Sequence, residues 1–304
     1  MEKKEFTVIS EYDGLKLQGV FYEPKNPKGV VILVHGMCEY KERYNEFMQF
    51  LCANGYTAVC YDQRGHGDSV ENEEDLGWFR DNDGKAIVDD LADVTRYVKE
   101  QMPNLSVTLF GHSMGSMVVR CFLREYDDLI DKLIVCGSPS KNPLTNAGIL
   151  LAKTVTLFYG DRHRSKLLAF LSTGKGDKNF PGEGKGAWLS RNYKCTADFY
   201  SNPKGGKRFT CNGFENLFKL MKRTYQKRGY KVKNPQLPIY FISGDKDAVL
   251  GSPRQWIRSQ DFLIDVGYEN VASKLYEGFR HELLNEVGKR QVYNDVLSFI
   301  QSKE

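Results

Sequence analysis

Short apolar runs alternate along the chain with longer segments whose apolar residues recur at helical spacing. The runs have the length and the apolar content of buried parallel strands. They lie at 30–34, 57–60, 107–110, 132–136, 239–242 and 272–275. Helical patterns cover 43–53, 87–101 and 290–301. Alternation of this kind predicts an α/β fold with a mainly parallel central sheet and helices on both faces.

Two further strands are predicted at the start of the chain. Residues 5–10 and 16–22 flank the tripeptide 12–14, Tyr-Asp-Gly, which favours a hairpin and therefore an antiparallel edge on the sheet. With 304 residues, 41% of them apolar, the chain can bury a large core, and α/β folds of this length commonly form one domain.

A nucleophile motif follows the strand predicted at 107–110. Residues 111–115 read Gly-His-Ser-Met-Gly, a Gly-x-Ser-x-Gly pattern, and a helical pattern resumes at 116–123. A sharp strand-to-helix turn of this kind holds Ser113 in a strained conformation with its hydroxyl exposed, while the glycines let the two backbones approach. An ordinary glycine-containing turn would have the same five residues, so the interpretation depends on partners elsewhere in the chain.

Acid and base partners for this serine lie further along the chain. A serine hydroxyl needs an adjacent imidazole to accept its proton, and the imidazole needs a carboxylate that fixes its tautomer. Asp245 and Asp247 follow the strand at 239–242, where a carboxylate can emerge at the edge of the sheet, and His281 follows the strand at 272–275. Serine, acid and histidine in this order predict an α/β-hydrolase with one of the two aspartates as the acid.

The base is chosen from two histidines. Of the five histidines in the chain, His35, His66 and His112 lie within other motifs, which leaves His163 and His281. His163 lies in a polar, basic turn that favours a solvated surface position, whereas His281 follows the last short strand. We therefore predict that His281 is the general base.

An oxyanion hole is predicted where the strand at 30–34 runs into an open His-Gly loop. Acyl transfer needs two backbone N–H donors aimed at the developing oxyanion, one from this loop and one from the residue after the nucleophile. Met37 and Met114 are the candidates for these two donors. Cys38, which follows directly, is either a reactive thiol or an inert neighbour.

Several motifs of the chain occur together in one group of enzymes. They are the segments 35–44, 62–69, 111–115, 188–191, 209–210, 244–247 and 278–282. With them the chain resembles, from about residue 10 to its C-terminus, the monoacylglycerol lipase and lysophospholipase group of α/β-hydrolases, of the serine aminopeptidase S33 type. The resemblance implies the α/β-hydrolase fold with a helical cap inserted late in the sheet. It also implies that the acid is Asp247, three residues after a glycine, and not Asp245.

About a hundred residues separate the strands predicted at 132–136 and 239–242, more than a minimal hydrolase needs. We expect a hydrolase core formed by 1–140 and 236–304 and a cap, or lid, formed by 141–235. The cap contains 20 Lys and Arg but 5 Asp and Glu, a charge of +15 in a chain whose net charge is +4. Such asymmetry favours contact with an anionic membrane surface or substrate, although a solvated basic face without a dedicated partner has the same composition.

Two apolar segments of the cap are candidates for the walls of an acyl-chain pocket. Residues 147–159 are apolar on more than one helical face, so this helix is expected either to be buried on most sides or to face an apolar ligand. Residues 214–225 can supply the opposite wall. The predicted substrate-binding residues are His35, Gly36, Leu150, Leu151, Phe158 and Phe218.

No cofactor, metal ion or nucleic-acid partner is expected. The seven cysteines are scattered without the spacing of a metal site, which favours free thiols in a reducing compartment. The glycine-containing segments 65–70 and 172–176 lack the spacing of dinucleotide-binding and phosphate-binding loops. Because residues 1–5 lead into a strand and no run approaches ~20 apolar residues, we expect a cytoplasmic protein. The sequence leaves the oligomeric state open.

These observations together predict a serine carboxylester hydrolase that acts through an acyl-enzyme on monoacyl esters, of the monoacylglycerol lipase or lysophospholipase type. A small-ester or aromatic, feruloyl-type esterase is the main alternative. An S33-type aminopeptidase would need an acidic pocket for the free amine of its substrate, and the basic cap counts against it. An acyltransferase would use the same residues and exclude water, which no feature of the sequence decides.

Overall fold

The structure is a computed structural model that describes residues 1–172 and 176–302. The strands in these residues form one sheet. They are β1 (Glu2–Ile9), β2 (Lys16–Glu23), β3 (Val30–Val34), β4 (Thr57–Tyr61), β5 (Val107–His112), β6 (Lys132–Cys136), β7 (Ile239–Gly244) and β8 (Val271–Tyr276). Their order across the sheet is β1-β2-β4-β3-β5-β6-β7-β8.

The strand directions confirm the α/β-hydrolase fold that the sequence predicts. β1 and β2 form the expected antiparallel hairpin, in which Glu5 lies opposite Val20, and β2 also runs antiparallel to β4. From β4 to β8 every neighbouring pair is parallel. The carboxyl ends of these parallel strands therefore meet at one edge of the sheet, where α/β proteins place their ligands.

Helices cover both faces of the sheet because the central strands are apolar throughout. Successive residues of a strand point to opposite faces. In β3, Ile32 belongs to an apolar cluster with α2 (Ala86–Gln101) and α3 (Met114–Phe122), and Leu33 belongs to a second cluster with α1 (Asn45–Ala53) and α9 (Arg290–Gln301). All five residues of β3 are buried, as in a strand that is covered on both sides.

Residues 141–235, which we call the cap, lie in the chain between the adjacent parallel strands β6 and β7. The cap contains helices α4 (Thr145–Tyr159), α5 (Lys166–Ser172), α6 (Tyr193–Ser201) and α7 (Cys211–Thr224). Its α7 packs on α3 and shares the apolar core, while α4 packs on α7 from outside. The remaining helix of the core, α8 (Pro253–Val266), lies between β7 and β8. The division of the chain into core and cap at these boundaries stays a prediction.

Candidate active site

The nucleophile motif forms a sharp turn between β5 and α3. Ser113 has φ 53° and ψ −115°, a conformation in which an L-residue is strained. Its backbone N–H donates to the carbonyl oxygen of Cys136 on β6 (2.9 Å), which holds the turn against the sheet. A Cβ atom on Gly115 would overlap the carbonyl oxygen of Val34, so only glycine lets α3 start this close to β3.

The three residues predicted as a catalytic triad lie together at the carboxyl edge of the sheet. Ser113 Oγ lies 2.8 Å from His281 Nε2, and His281 Nδ1 lies 3.0 and 2.9 Å from the two carboxylate oxygens of Asp247. Asp247 is buried and accepts further hydrogen bonds from the hydroxyl of Ser243 (3.1 Å) and the N–H of Val249 (3.0 Å). The arrangement is a continuous chain of hydrogen bonds from an oriented carboxylate to a half-buried hydroxyl.

Asp245 and His163, the alternative acid and base, do not contact Ser113 and lie in other surroundings. The Asp245 carboxylate accepts a hydrogen bond from the N–H of Gly278 (2.7 Å) and lies 3.3 Å from Lys246 Nζ, so it braces the turn before the base loop. His163 is exposed on the cap, where its ring stacks on Tyr159 with 5.0 Å between the ring centroids. The structure thus brings Asp247 and His281 to the serine, and it brings neither Asp245 nor His163.

The cap holds the loop that carries His281. His281 and Glu282 donate their backbone N–H groups to the carbonyl oxygens of Trp188 (3.4 Å) and Leu189 (2.7 Å), respectively. The guanidinium of Arg280 donates to the carbonyl oxygen of Ala187 (2.7 Å). The position of the imidazole therefore depends on the backbone of residues 187–189.

A buried carboxylate holds the other side of the site. Glu39 Oε2 accepts hydrogen bonds from the N–H of Gly36 (2.6 Å), the hydroxyl of Tyr44 (2.9 Å) and His112 Nδ1 (3.1 Å). Burial raises the pKa of Glu39, but Arg43 and His112 outweigh it and hold that pKa well below its usual range. Burial lowers the pKa of His112, but Glu39 reverses the shift and leaves that pKa above its usual value.

This network links the two loops that flank Ser113. Arg43 lies 3.2 Å from Glu39 and 2.5 Å from Glu282, the residue after the predicted base. His112 Nε2, the second ring nitrogen, lies 3.1 Å from the carbonyl oxygen of His281. The network was not predicted from the sequence. Its members are up to 239 positions apart, so no local pattern identifies them.

A cavity of about 500 Å³ opens beside Ser113. Met37 and Met114, the predicted oxyanion-hole residues, line it together with Gly36 and the imidazole of His281. Apolar side chains from α3, α5 and α7 form much of the remaining wall. They include Met117, Ala169, Leu171, Phe214, Leu217, Phe218 and Met221. The volume lies in the range of small-molecule sites.

The comparison with protein families agrees with this geometry. The family model described as serine aminopeptidase, S33, matches residues 25–288. The chain belongs to this family. Monoacylglycerol lipase of Mycolicibacterium smegmatis is 26% identical over 278 residues, which cover 91% of this chain and 89% of that protein. Monoglyceride lipase of Rattus norvegicus is 26% identical over 302 residues, which cover 95% and 87%.

Solved structures show the same fold. A thermostable carboxyl esterase from Bacillus coagulans matches with a TM-score of 0.87 and 24% identity, over 99% of this chain and 98% of that one. Together with the family match and the two relatives, this similarity confirms the predicted assignment to the ester-hydrolysing enzymes of the α/β-hydrolase fold.

Not all of the predicted substrate-binding residues of the hydrolase line the cavity. Gly36 and Phe218 do. His35 does not, because its ring is fully buried below the floor, where Nε2 accepts the N–H of Gln63 (3.0 Å) and burial lowers the pKa of the imidazole. It supports the loop of Gly36 from beneath.

The prediction that side chains of α4 line the acyl-chain pocket was wrong, because this helix faces in another direction. Leu150 is 67% and Phe158 is 74% exposed, and Leu151 packs against the apolar core, so none of the three lines the cavity. The reason is that α4 forms an outer layer over α7, with Gly148 beside the ring of Phe218. Ala152 is the only fully buried residue of α4.

Cys38 lines the cavity, but its surroundings are those of an inert thiol. Its Sγ donates to the carbonyl oxygen of Lys207 (2.8 Å), and burial raises its pKa to about 12. Because the thiolate is the reactive form of cysteine, this thiol is a poor nucleophile near neutral pH. In residues 1–172 and 176–302 there is no cluster of three side chains suited to bind a metal ion, and none of the helices there is long and apolar enough to span a membrane.

Proposed function

We propose that the hydrolase cleaves monoacyl carboxylesters through an acyl-enzyme on Ser113, with monoacylglycerols as the preferred neutral substrates. The observation that carries the proposal is the hydrogen-bonded chain from Ser113 through His281 to Asp247, which opens into a cavity with an apolar wall. The two monoacylglycerol lipases among its relatives support the choice of substrate.

The geometry supports a definite sequence of proton transfers. His281 Nε2 takes the proton of Ser113 as Oγ attacks the ester carbonyl, and the charged imidazole is stabilised by Asp247. The backbone N–H groups of Met37 and Met114 donate to the oxyanion. His281 then gives the proton to the departing alcohol. A water molecule, activated by the same imidazole, releases the fatty acid and restores the serine.

The shape of the cavity supports a single acyl chain in the substrate. Each methylene that enters the apolar wall contributes ~0.8 kcal/mol, which corresponds to roughly a three- to fourfold rise in kcat/KM until the cavity is full. A cavity of about 500 Å³ covered by α7 leaves room for one chain and a small alcohol, so we expect triacylglycerols to be poor substrates.

The test combines labelling with a chain-length series. A fluorophosphonate probe should label the wild-type protein and not Ser113→Ala, and kcat/KM for p-nitrophenyl esters should rise from acetate to medium or long chains. Ser113→Ala should fold normally and lose roughly 10⁶-fold in kcat, since the triad acts as a unit. Normal turnover by this variant would refute the serine mechanism. A maximum at acetate would instead favour a small-ester or aromatic-ester hydrolase.

The charges around the cavity weigh against an aminopeptidase. Glu39 and Glu282 are the carboxylates that line it in the described part of the chain, and both are paired with Arg43. A free carboxylate for the amine of a peptide substrate is therefore missing from this described lining. Aminoacyl amides should accordingly be hydrolysed much more slowly than monoacylglycerols.

We also propose that the cap touches anionic membrane surfaces. The outer face of α4 presents Leu150, Leu157 and Phe158, which are 67%, 81% and 74% exposed, on the strongly basic cap. Apolar side chains within a basic surface suit an anionic lipid interface. Binding to vesicles of anionic lipid should weaken as salt rises, because exposed charges are screened over ~10 Å at 0.1 M. The seven free thiols support a reducing, cytoplasmic compartment.

A further inference from the structure

A second cavity, of about 260 Å³, lies next to the cavity beside Ser113. Five residues of the described part of the chain line both of them. They are Met117, Pro139, Ser140, Asn142 and Met221. Because the same residues form a wall of each cavity, they are the partition between the two spaces. We call the second space the distal cavity.

The distal cavity continues the apolar wall that α7 forms beside Ser113. That wall, which we call the acyl arm, runs along α7 from Phe214 to Met221. The next turn, at Tyr225, lines the distal cavity. Seven residues of a helix span about 10 Å and eleven span about 16 Å, so the distal cavity begins where the arm ends.

Contacts between α3 and α7 give the direction of this path. Ser113 is at the start of α3, and Met117 follows it by about one helical turn. Further along α3, the guanidinium of Arg120 donates to the hydroxyl of Tyr225 (3.1 Å). Since the late parts of both helices lie side by side, an acyl chain that leaves Ser113 along α3 passes the two methionines of the partition before it reaches Tyr225.

The two methionines are the movable part of this partition. Met117 is buried and Met221 is half-buried. Methionine has three rotatable bonds and adapts to irregular gaps, so a change of rotamer can join the two cavities without moving the backbone. The acyl arm therefore ends at side chains that can move aside.

The distal cavity is polar where the acyl arm is apolar. Apart from Pro143, the described residues that line it alone all carry a polar side-chain group; they are Lys141, Thr145, Asn146, Lys222, Tyr225 and Gln226. Lys141, Asn146 and Lys222 are exposed, so the distal cavity opens to solvent. Within the described residues its lining includes two lysines and no carboxylate, which suits a hydrated anionic group.

We propose that the acyl site of the hydrolase is open at its distal end, and that the enzyme cleaves esters of long acyl chains that carry a carboxylate on the terminal carbon. The proposal rests on the proposed function and adds the chemistry of the acyl chain. The methylenes occupy the acyl arm, and the terminal carboxylate stays hydrated in the distal cavity. Water hydrolyses the acyl C–O bond, the alcohol leaves with a proton, and the acid is released with its terminal carboxylate unchanged.

The effect of a terminal carboxylate should depend on the length of the chain that carries it. An extended chain advances roughly 1.2 Å per bond, so a six-carbon acyl chain ends after about 6 Å and a fourteen-carbon chain after about 16 Å. The first length ends inside the acyl arm and the second ends at the distal cavity. A carboxylate in the arm loses its water without gaining a partner, whereas one in the distal cavity keeps its water.

The test compares the p-nitrophenyl esters of hexanoic and tetradecanoic acid with the same esters carrying a terminal carboxylate, all below their critical micelle concentrations. The measured quantity is the ratio of kcat/KM for the carboxylated ester to that for the plain ester of the same length. In the wild type this ratio should be at most about 1/30 at six carbons, because an unpaired polar group is costly to bury. At fourteen carbons it should lie within about threefold of unity.

Two variants test the path of the long chain. Met221→Trp fills the partition, and Gln226→Trp narrows the distal cavity from its exposed side. Each should lower the ratio at fourteen carbons by about tenfold or more, because the terminal carboxylate no longer reaches the distal cavity. Ile257→Trp is the matched control, since Ile257 is 55% exposed on α8 and lines neither cavity. This control should keep the wild-type ratios.

Three outcomes would overturn the proposal. A wild-type ratio as low at fourteen carbons as at six would mean that the acyl arm is closed. A ratio near unity at six carbons would mean that the chain does not enter the arm. Wild-type ratios in both Met221→Trp and Gln226→Trp would mean that the long chain leaves by another route. In all three cases the plain esters would still be hydrolysed and Ser113 labelled, whereas loss of both activities in the wild type would refute the proposed function itself.

Discussion

Glu39→Gln tests whether the buried network positions the oxyanion loop. The substitution keeps the shape of the side chain and one carbonyl oxygen, but removes the charge that faces Arg43 and His112. Breaking a buried ion pair costs ~3–5 kcal/mol, and part of the hydrogen bonding survives with glutamine. We therefore expect a loss of about 3 kcal/mol, which in a chain of this size lowers Tm by roughly 6 °C.

The pH dependence of this loss has a defined sign. The pKa of Glu39 is depressed in the folded state, so its stabilisation is complete above its ordinary pKa and disappears as pH falls through the folded value. The pKa of His112 is raised, so its share is complete below its ordinary value and is lost as pH rises through the folded one. The difference in Tm between wild type and variant should therefore be largest between the ordinary pKa values of the two groups, 4.5 for Glu39 and 6.5 for His112, and should narrow on both sides.

The Glu39→Gln substitution should lower kcat, because the N–H of Gly36 donates to Glu39 and Met37, a predicted oxyanion donor, follows in the same loop. Loss of one oxyanion donor costs about 10²–10³ in kcat. A trifluoromethyl ketone inhibitor, which needs the oxyanion donors, should lose affinity in parallel, while KM for p-nitrophenyl decanoate changes little. Glu46→Gln is the control, since that half-exposed carboxylate pairs with Lys289 at the surface. A Glu39→Gln variant with the Tm and kcat of the Glu46 control would refute the reasoning.

Further predictions concern the acid, the elbow and the acyl arm. Asp247→Asn should lower kcat by about 10⁴, because the imidazole loses its orienting charge. Asp245→Asn should change kcat less than about threefold. If steady-state kinetics showed the larger loss for Asp245→Asn, the acid would be misassigned. Gly115→Ala should destabilise the fold by more than ~4 kcal/mol, since its Cβ overlaps a backbone oxygen of β3, and a Tm close to wild type would contradict this. Met221→Trp should move the optimum of the p-nitrophenyl ester series to shorter chains, and an unmoved optimum would place the acyl chain elsewhere.

Elements with strong local patterns were predicted closely from the sequence. The strand at 132–136 and the helix at 290–301 have the predicted bounds, because an apolar run and an amphipathic repeat decide them locally. The helix predicted at 43–53 begins only at Asn45. Before it, residues 41–44 form a 3₁₀ turn in which Lys41 Nζ binds the distant Asp62 at 2.7 Å, a tertiary contact without a local signal.

In the candidate site, too, some residues are predicted by a local pattern, whereas others depend on tertiary contacts. Ser113, Asp247 and His281 lie together as a motif and the order of the residues predict, because both report on strand ends; their catalytic role stays a prediction. The direction of α4 could not be found in this way, because Leu150, Leu151 and Phe158 spread around the helix, and only the packing of α7 decides which side is covered. The pairing of Glu39 with His112 joins positions 73 apart, so it too depends on the folded sheet.

The backbone contacts between residues 187–189 and the loop at 280–282 limit how this enzyme can diversify. Specificity in a capped fold would be easiest to change if the cap were a module that could be exchanged between relatives. Residues 187–189 belong to the cap in sequence, but their backbone carbonyl groups accept hydrogen bonds from the loop of the base. The donors include the backbone N–H groups of His281 and Glu282. A chimera that imports residues 141–235 from another enzyme must keep the backbone path of residues 187–189, while the outer face of α4 is free to vary.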